Sequence, residues 1–454
     1  MSRDEELSRK LISLLGASHL LESGEDKESY RVDGLVPRWV IFPQNREDAS
    51  KILQLGLQET LSLIPWGSGT KMGLGNIPKS ADLIVATKNL NRVVDQDLEN
   101  LTITLEAGVR LADIQGQLRQ KGKGYLIPLD PPFTEGATLG GIIATNSSGP
   151  KRLLYGTARD IILGMKVISI DGHIISCGGK TVKNVSGYDM DKLYIGSLGT
   201  LGLIVEATLR LLPLPDQERT LLTLFPEAKS ACQVTQEILQ SQLLPSSLEI
   251  FNTRAMKGIP GDPVPEEDGY GLLIGIEGVE KAVQRQAAEL RSLCDRYNPL
   301  RSVILEGNTQ MNVWQAERDT ALRMIRQFPA TVILKINVPL SGIDMILAWA
   351  EGAARQEKFS YALFGHAGNG ILRLAVLLAQ LPSEEDRLVS LIRQVSARAV
   401  EMGGNLIIEF APPAFKPRVK VWGHEKRDVA VFRQLKSRVD PSFLFNPGRF
   451  VGGI

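Results

Sequence analysis

The chain has 454 residues, 43% apolar and 23% charged, and its 52 Lys and Arg balance 51 Asp and Glu. That length allows two or three domains with a sizeable core, and the even charge excludes a basic nucleic-acid footprint or a like-charged tail. Cys177, Cys232 and Cys294 lie far apart with no CxxC, and the chain lacks both a signal-peptide run and a long apolar window. Disulfide frameworks, iron–sulfur clusters, thiolate zinc sites and membrane spans are thereby excluded, and the expectation is a soluble, cytoplasmic protein.

In chain order, residues 5 to 22 predict a helix with Leu7, Leu11, Leu14 and Leu15 on one face. A short strand at 39–42, a helix at 46–60 and a strand at 61–64 follow. The strand opens into Pro65-Trp66-Gly67-Ser68-Gly69-Thr70-Lys71-Met72-Gly73-Leu74-Gly75. A glycine-dense turn after a strand is where backbone N–H groups can gather around a phosphate, although neither usual nucleotide fingerprint is met. Strands at 83–86 and 101–107 and a helix at 111–121 lead to residues 130–164, crowded with Gly136, Ala137, Gly140, Gly141, Ala144, Gly149 and Gly156. Thr138, Thr145, Asn146 and Thr157 interleave hydrogen-bonding side chains there. The segment reads as poor helix and poor strand with little to give a core, shaped to wrap a long phosphate-bearing ligand.

Strands at 165–170 and 174–176 flank an Asp171-Gly172 turn, beside which His173 reads as an exposed residue and no ligand. Gly196, Gly199 and Gly202 punctuate the approach to an apolar strand at 203–212. Pro213-Leu214-Pro215 marks a domain boundary. Helices are predicted at 228–242, 280–297, 311–327, 342–356, 383–402 and 424–438, and strands at 247–251, 271–277, 332–338 and 405–409. A hairpin, 361–366 with 371–377, turns at Ala367-Gly368-Asn369-Gly370. Such alternation predicts an α+β layer, one sheet face covered by helices.

Taken in order, the two glycine-rich loops, -ATLGGIIATNSSG-, -YGTARD-, -GSLGTLGLIVEATLRLLP- and the terminal -FNPGR- resemble the FAD-linked oxidases with the vanillyl-alcohol oxidase and p-cresol methylhydroxylase (PCMH) type of flavin domain. The likeness is nearest to the FAD-binding subunits of glycolate dehydrogenase (glycolate oxidase) complexes, and -KNVSGYDMDKL- points towards the smaller flavin subunit. Relatives in that family act on D-lactate and D-2-hydroxyglutarate. The resemblance implies an α+β protein: a two-lobed FAD domain over 1–214, a ferredoxin-like α+β substrate cap over 215–410, and a tail, 411–454, returning to the FAD domain. It implies that the FAD pyrophosphate lies against Gly67, Ser68, Gly69, Thr70 and the Ala137, Thr138, Leu139, Gly140, Gly141 backbone. Pro131, Thr145, Asn146, Gly149, Gly156, Thr157, Gly199, Gly202, Ile204 and Asn446 complete the implied cofactor set. The first loop offers no His or Cys for a tether, so FAD is expected to bind non-covalently.

The -FGHAGNG- hairpin resembles the H-x-G-x-G segment of the D-2-hydroxyacid enzymes. A neutral imidazole suits the base such a reaction needs. His366 is therefore the candidate base, a core hydrogen-bonding histidine being the plainer reading. Arg318 and Lys335 are candidate cations for the substrate carboxylate, each equally readable as solvated. In metal-assisted members a second histidine follows the hairpin and a Glu-His pair lies on a later strand. Here Leu372-Arg373 and Glu409-Phe410 stand at those places, so no metal is expected, and Leu198 replaces the acid of the family's -SEGT-. The reading is oxidation of glycolate or D-lactate by hydride transfer to flavin N5. Electrons then pass to an iron–sulfur subunit beside a paralogous flavin subunit, peripheral to a membrane at most. Two alternatives remain: a FAD-holding subunit that is not catalytic, and a nucleotide-binding protein without redox function.

Overall fold

A computed structural model describes residues 2–22, 24–180, 188–257, 268–381, 383, 385–424 and 428–454. Residues 183–187 of -KNVSGYDMDKL- and 425–427 of the last predicted helix lie outside them.

The first lobe is a four-stranded sheet in the order Leu20–Leu21, Trp39–Ile41, Leu83–Ala86, Leu63–Trp66. Helices Arg3–Leu15 and Arg46–Gln58 bury Leu7, Leu11, Ile52 and Leu53 against it. The N-terminal helix is shorter than expected: Gly16, at φ 88°, ends it, and Leu20–Leu21 become an edge strand. The second lobe is antiparallel, ordered Val93–Asp97, Thr102–Glu106, Leu203–Arg210, Ile162–Ile168, Ile174–Gly178. His173 lies in the exposed turn before the last of these strands, with Nδ1 2.8 Å from Asp171.

The glycine-rich stretch corrects the sequence reading. Leu139–Thr145 is a helix, and Leu139, Ile142 and Ile143 are buried in the second lobe's core with Ala137, Ala158 and Ile161. Their i, i+3, i+4 spacing buries one face, and that packing outweighs the glycine cost of about 1 kcal/mol per residue.

The third unit is an eight-stranded, wholly antiparallel sheet. Its order is Arg301–Leu305, Gln217–Phe225, Tyr270–Gly278, Ser247–Asn252, Tyr361–His366, Ile371–Val376, Val332–Asn337, Asn405–Phe410. Strands Gln217–Phe225 and Arg301–Leu305 were not anticipated. The first starts with the polar Gln217-Glu218-Arg219 directly after the proline break, and the second is a short edge strand with an exposed start. Helices Ala228–Gln240, Glu280–Asp295, Ile343–Gln356 and Glu385–Glu401 cover one face, burying Leu248, Ile250, Leu334, Ile336, Leu363 and Leu374. Residues of opposite parity on the same strands point to the other face, as the two-residue period requires. The predicted helix 311–327 divides into Gly307–Arg318 and Thr320–Gln327. At the break, the Asp319 carboxylate accepts a 2.7 Å hydrogen bond from the Phe133 N–H.

The last stretch of chain crosses back to the first lobe. Leu63 N–H donates to the Leu444 carbonyl and Asn446 N–H to the Leu63 carbonyl, each at 2.8 Å. Lys436, fully buried, donates to Thr200 O and Asp440 Oδ2 at 2.6 Å and Phe445 O at 2.9 Å. Truncating one partner of such a buried pair costs about 3–5 kcal/mol.

Candidate functional site

Two cavities share a wall. The first, about 820 Å³, runs between the two lobes and is lined by Gly67, Ser68, Gly69, Thr70, Lys71, Ala137, Thr138, Gly140, Gly141, Thr145, Leu198, Gly199, Gly202, Ile204 and Asn446. The second, about 1210 Å³, lies between this groove, the other face of the eight-stranded sheet and the helices Gly307–Arg318 and Thr320–Gln327; Gly69, Thr70, Lys71, Met72 and Pro132 line both cavities.

Main chain builds the first cavity. Ser68, Gly69, Thr70 and Lys71 follow a buried strand, and their N–H groups take no backbone partner among the described residues. At Gly67 the two loops touch: a Cβ there would lie 2.1 Å from Thr138 Oγ1. Loop 69–75 is held from behind, since Lys416 Nζ donates to Gly73 O at 2.7 Å while Arg449 Nη2 donates to Met72 O and Leu74 O at 2.6 Å. The 137–141 loop offers fewer amides than its glycines suggest. Ala137, Leu139 and Gly140 N–H groups are spent on Phe133, Val109 and Ala107 carbonyls. Four buried polar atoms at or beside the groove lack a protein partner: Thr138 Oγ1, Asn146 Oδ1, Asn446 Oδ1 and Arg449 Nε. Buried polar atoms are normally satisfied, so this set fits a large hydrogen-bonding guest.

Of the expected cofactor residues, Leu139 points into the core and Pro131 is replaced at the wall by Pro132. Gly149 lines the second cavity instead. Asn146 sits in the left-handed conformation at the end of helix Leu139–Thr145. Gly156 and Thr157 border neither cavity; Thr157 caps a short helix, its hydroxyl accepting from Arg159 N–H. Leu198, where the family acid would stand, lines the groove, and its carbonyl accepts from Asn446 Nδ2 at 2.6 Å.

The second cavity is built from side chains. In the sheet register Glu249 faces His366, Phe364 faces Arg373, and Arg373 faces Lys335. Glu409 stands where the pairing of Val332–Asn337 with Asn405–Phe410 slips between Ile333 and Leu334. Five adjacent strands thus carry one row of ionisable groups across the sheet's other face, part of which helices Gly307–Arg318 and Thr320–Gln327 cover. Each member is a lone charge in an apolar strand, as in Leu248-Glu249-Ile250, Leu334-Lys335-Ile336, Leu372-Arg373-Leu374 and Ile408-Glu409-Phe410. That pattern is the signal by which sequence reasoning could have found Glu249 and a role for Arg373, as it found Lys335.

His366 is 3% exposed, with Nδ1 2.8 Å from both Glu249 oxygens and Nε2 3.3 Å from Arg373 Nη1. A guanidinium N–H can only donate, so Nε2 is the acceptor and the ring proton sits on Nδ1, donated to Glu249. Burial, then Arg373, Arg152 and Lys335, hold the imidazole well below its usual range, so it is neutral. Arg373 Nε donates to Glu409 Oε2 at 2.6 Å. Against the pull of burial, Arg373, Lys335 and Lys71 hold the Glu409 carboxyl well below the usual range. Burial lowers both Lys71 and Lys335 to about 8. Behind His366, burial pushes Glu249 up to about 8 and Glu317 well above its ordinary value, and the two carboxyl groups hydrogen-bond each other, which requires a proton between them.

Arg318 lines the second cavity from its helix end, with Nε 3.3 Å from Thr134 Oγ1. Lys335 belongs to the charged row beside the cavity. Among the described residues no group of three or more His, Cys, Asp or Glu could hold a metal ion, and no helix is long and apolar enough to cross a membrane.

Residues 37–178 match the family described as FAD binding domain, and residues 214–450 that described as FAD linked oxidases, C-terminal domain. The chain is 28% identical to the glycolate oxidase subunit GlcD of Bacillus subtilis, over 98% of this chain and 96% of that one. It is 27% identical to the D-lactate dehydrogenase of Archaeoglobus fulgidus, over 96% and 98% of the two chains. To the D-2-hydroxyglutarate dehydrogenase of Xanthomonas citri pv. viticola it is 26% identical, over 91% and 89%. Among solved structures, p-cresol methylhydroxylase with substrate bound superposes with a TM-score of 0.80 at 14% identity, covering 99% of this chain and 97% of that chain. Alkyldihydroxyacetonephosphate synthase gives 0.74 at 18%, covering 98% and 85%.

Proposed function

Because the chain belongs to the FAD-linked oxidases, binding FAD in the PCMH-type fold, we propose that it oxidises a short 2-hydroxy acid, glycolate or D-lactate, at the charged row. The observation that carries this reading is the charge of the second cavity. Arg373 and Lys335 stand beside a neutral imidazole, and Lys71 joins them around one fully ionised carboxylate, Glu409, in the cavity that shares a wall with the cofactor groove. Excess buried positive charge calls for an anionic ligand, and a neutral imidazole can accept a proton.

Ser68, Gly69, Thr70, Thr138, Gly141, Asn446 and Arg449 would hold FAD, without a covalent tether. Bound there, it supplies the acceptor for the hydride leaving C2. Arg373 and Lys335, with Arg318 at the rim, take the substrate carboxylate, and His366 Nε2 takes the hydroxyl proton. Glu249 fixes the ring and its tautomer, and Glu317 keeps Glu249 supplied with a hydrogen bond.

A relative named as a subunit supports a place in a multi-subunit complex. There electrons would leave to an iron–sulfur partner beside a paralogous flavin chain, with at most peripheral membrane contact. Anaerobic mixing of the holoenzyme with glycolate or D-lactate tests the activity: the flavin band should bleach. A band that persists with both, and with longer 2-hydroxy acids, would leave the chain as a non-catalytic FAD-holding subunit.

A further inference from the structure

Metal-assisted 2-hydroxyacid oxidation needs donors converging on an ion, and this chain retains two of the expected kind, His366 and Glu409. Neither is free. Nε2 of His366 accepts from Arg373 Nη1 at 3.3 Å, and Glu409 Oε2 accepts from Arg373 Nε at 2.6 Å. A guanidinium therefore fills the space between the two donors. With no third donor among the described residues, the set does not fit a divalent ion.

We propose that Arg373 is the fixed cation of this substrate site, standing between His366 and Glu409 where an ion would otherwise sit and holding the carboxylate and α-oxygen of the bound acid. The proposal rests on the reading of the substrate as a 2-hydroxy acid. Arg373 is 9% exposed and lines the second cavity, and its strand neighbours Phe364 and Lys335 and its partner Glu409 fix its stem. A guanidinium presents two parallel N–H groups, the geometry a carboxylate or an α-hydroxy carboxylate accepts.

The arrangement also guards the base. Without substrate, Arg373 Nη1 occupies the lone pair of Nε2. A carboxylate is a stronger acceptor than a neutral imidazole, so the arriving acid draws Nη1 away and frees Nε2 to meet the hydroxyl. The hydroxyl proton then passes to Nε2, and the C2 hydrogen leaves with its electron pair to the flavin. The C–O bond becomes a carbonyl, and Arg373 keeps its protons and charge throughout.

The test uses the holoenzyme, stripped with dipicolinate and desalted, with residual metal measured by mass spectrometry. Oxalate, a non-oxidisable dianion, is titrated against the flavin absorption spectrum. The stripped wild type should bind oxalate unchanged by added Mn²⁺ or Zn²⁺. Arg373→Met should bind it about a hundredfold more weakly while retaining FAD, as expected for one lost charge in a buried pair. Arg373→Lys, which keeps the charge but not the fork, should recover part of that loss, which separates charge from misfolding. Guanidinium ion added to Arg373→Ala should restore part of the rate of flavin reduction. Loss of oxalate binding on stripping, with recovery on adding metal, would overturn the proposal, as would wild-type binding by Arg373→Met. If no 2-hydroxy acid reduces the flavin while oxalate binding still depends on Arg373, the substrate reading falls and the assignment of Arg373 stands.

Discussion

The two cavities of this chain are made from opposite materials. The groove between the lobes is shaped by missing side chains and by carbonyls tied back to Lys416 and Arg449, with few charges facing inward. The second cavity is walled by His366, Arg373 and Glu409, part of a row of ionisable side chains fixed on five strands of a rigid sheet. A main-chain cradle binds any molecule of the right outline and is altered by adding atoms. A charged row acts by protonation state and is altered by removing them. Substitutions should therefore separate the two: additions in the groove should cost cofactor, and deletions in the row should cost chemistry with the cofactor in place.

The largest expected effect is at His366. His366→Gln keeps an amide to meet Glu249 but no group that can take a proton. Flavin reduction by the substrate should fall by about three orders of magnitude, within the 10²–10⁴ range of general-base losses, while FAD content and melting temperature stay close to wild type. Stopped-flow reduction measures the first and absorbance per protein the second. A variant that reduces at the wild-type rate would leave the imidazole as a packing residue.

Next comes Gly67→Ala. Its Cβ would lie 2.1 Å from Thr138 Oγ1, so Thr138 must turn or the loops must part. Overpacking of this kind costs about 1–3 kcal/mol, roughly five- to 150-fold in FAD affinity if the groove widens to relieve it. Fluorescence titration of the apoprotein with FAD gives the constant. Reduction of whatever fraction does bind should keep its rate, and a slowed rate would show the two cavities to be one mechanical unit.

The same contrast explains what the sequence made legible. The groove announced itself because Gly67, Gly69, Gly140 and Gly141 fall in two dense clusters, and local density survives in a linear string. The row did not, because Glu249, Lys335, Arg373 and Glu409 come from separated strands and meet only through register. His366 stood out through its glycine frame, and Lys335 through its apolar neighbours. Arg373 was noticed solely as the wrong residue for a ligand position. The helix Leu139–Thr145 was hidden for a related reason: its glycines argue against helix locally, and only the core that receives Leu139, Ile142 and Ile143 reverses that preference.

A smaller effect follows from the lysines. Burial lowers Lys71 and Lys335 from their usual value near 10.4 to about 8, and both are cations below that pH. As pH rises through 8 the two lysines lose positive charge and Glu249, raised to about 8, gains negative charge, so kcat/KM for an anionic acid should fall by about tenfold or more per unit there. His366 is already neutral, so no matching decline is expected on acidifying from pH 7 to about 6.5. A profile that falls first on the acid side would mean that the imidazole carries a proton at rest. Charge in the row would then be set by His366 rather than by the lysines.

The smallest effect distinguishes the groove most sharply, because it has opposite signs with and without cofactor. Thr138 Oγ1 is buried and lacks a protein partner, a position that costs stability in the empty chain. Thr138→Val removes the orphaned hydroxyl, so the apoprotein should melt at the same or a higher temperature. If FAD supplies the missing partner, the variant loses one hydrogen bond worth about 1 kcal/mol, and FAD should bind roughly fivefold more weakly. Calorimetric melting of the apoprotein and titration with FAD read the two halves separately. A uniform loss in both would make Thr138 part of the scaffold, and the groove would then owe its cofactor to backbone amides alone. A gain in the empty protein paired with a loss in the loaded one is what a side chain kept for its ligand produces, since nothing in the fold itself uses the oxygen.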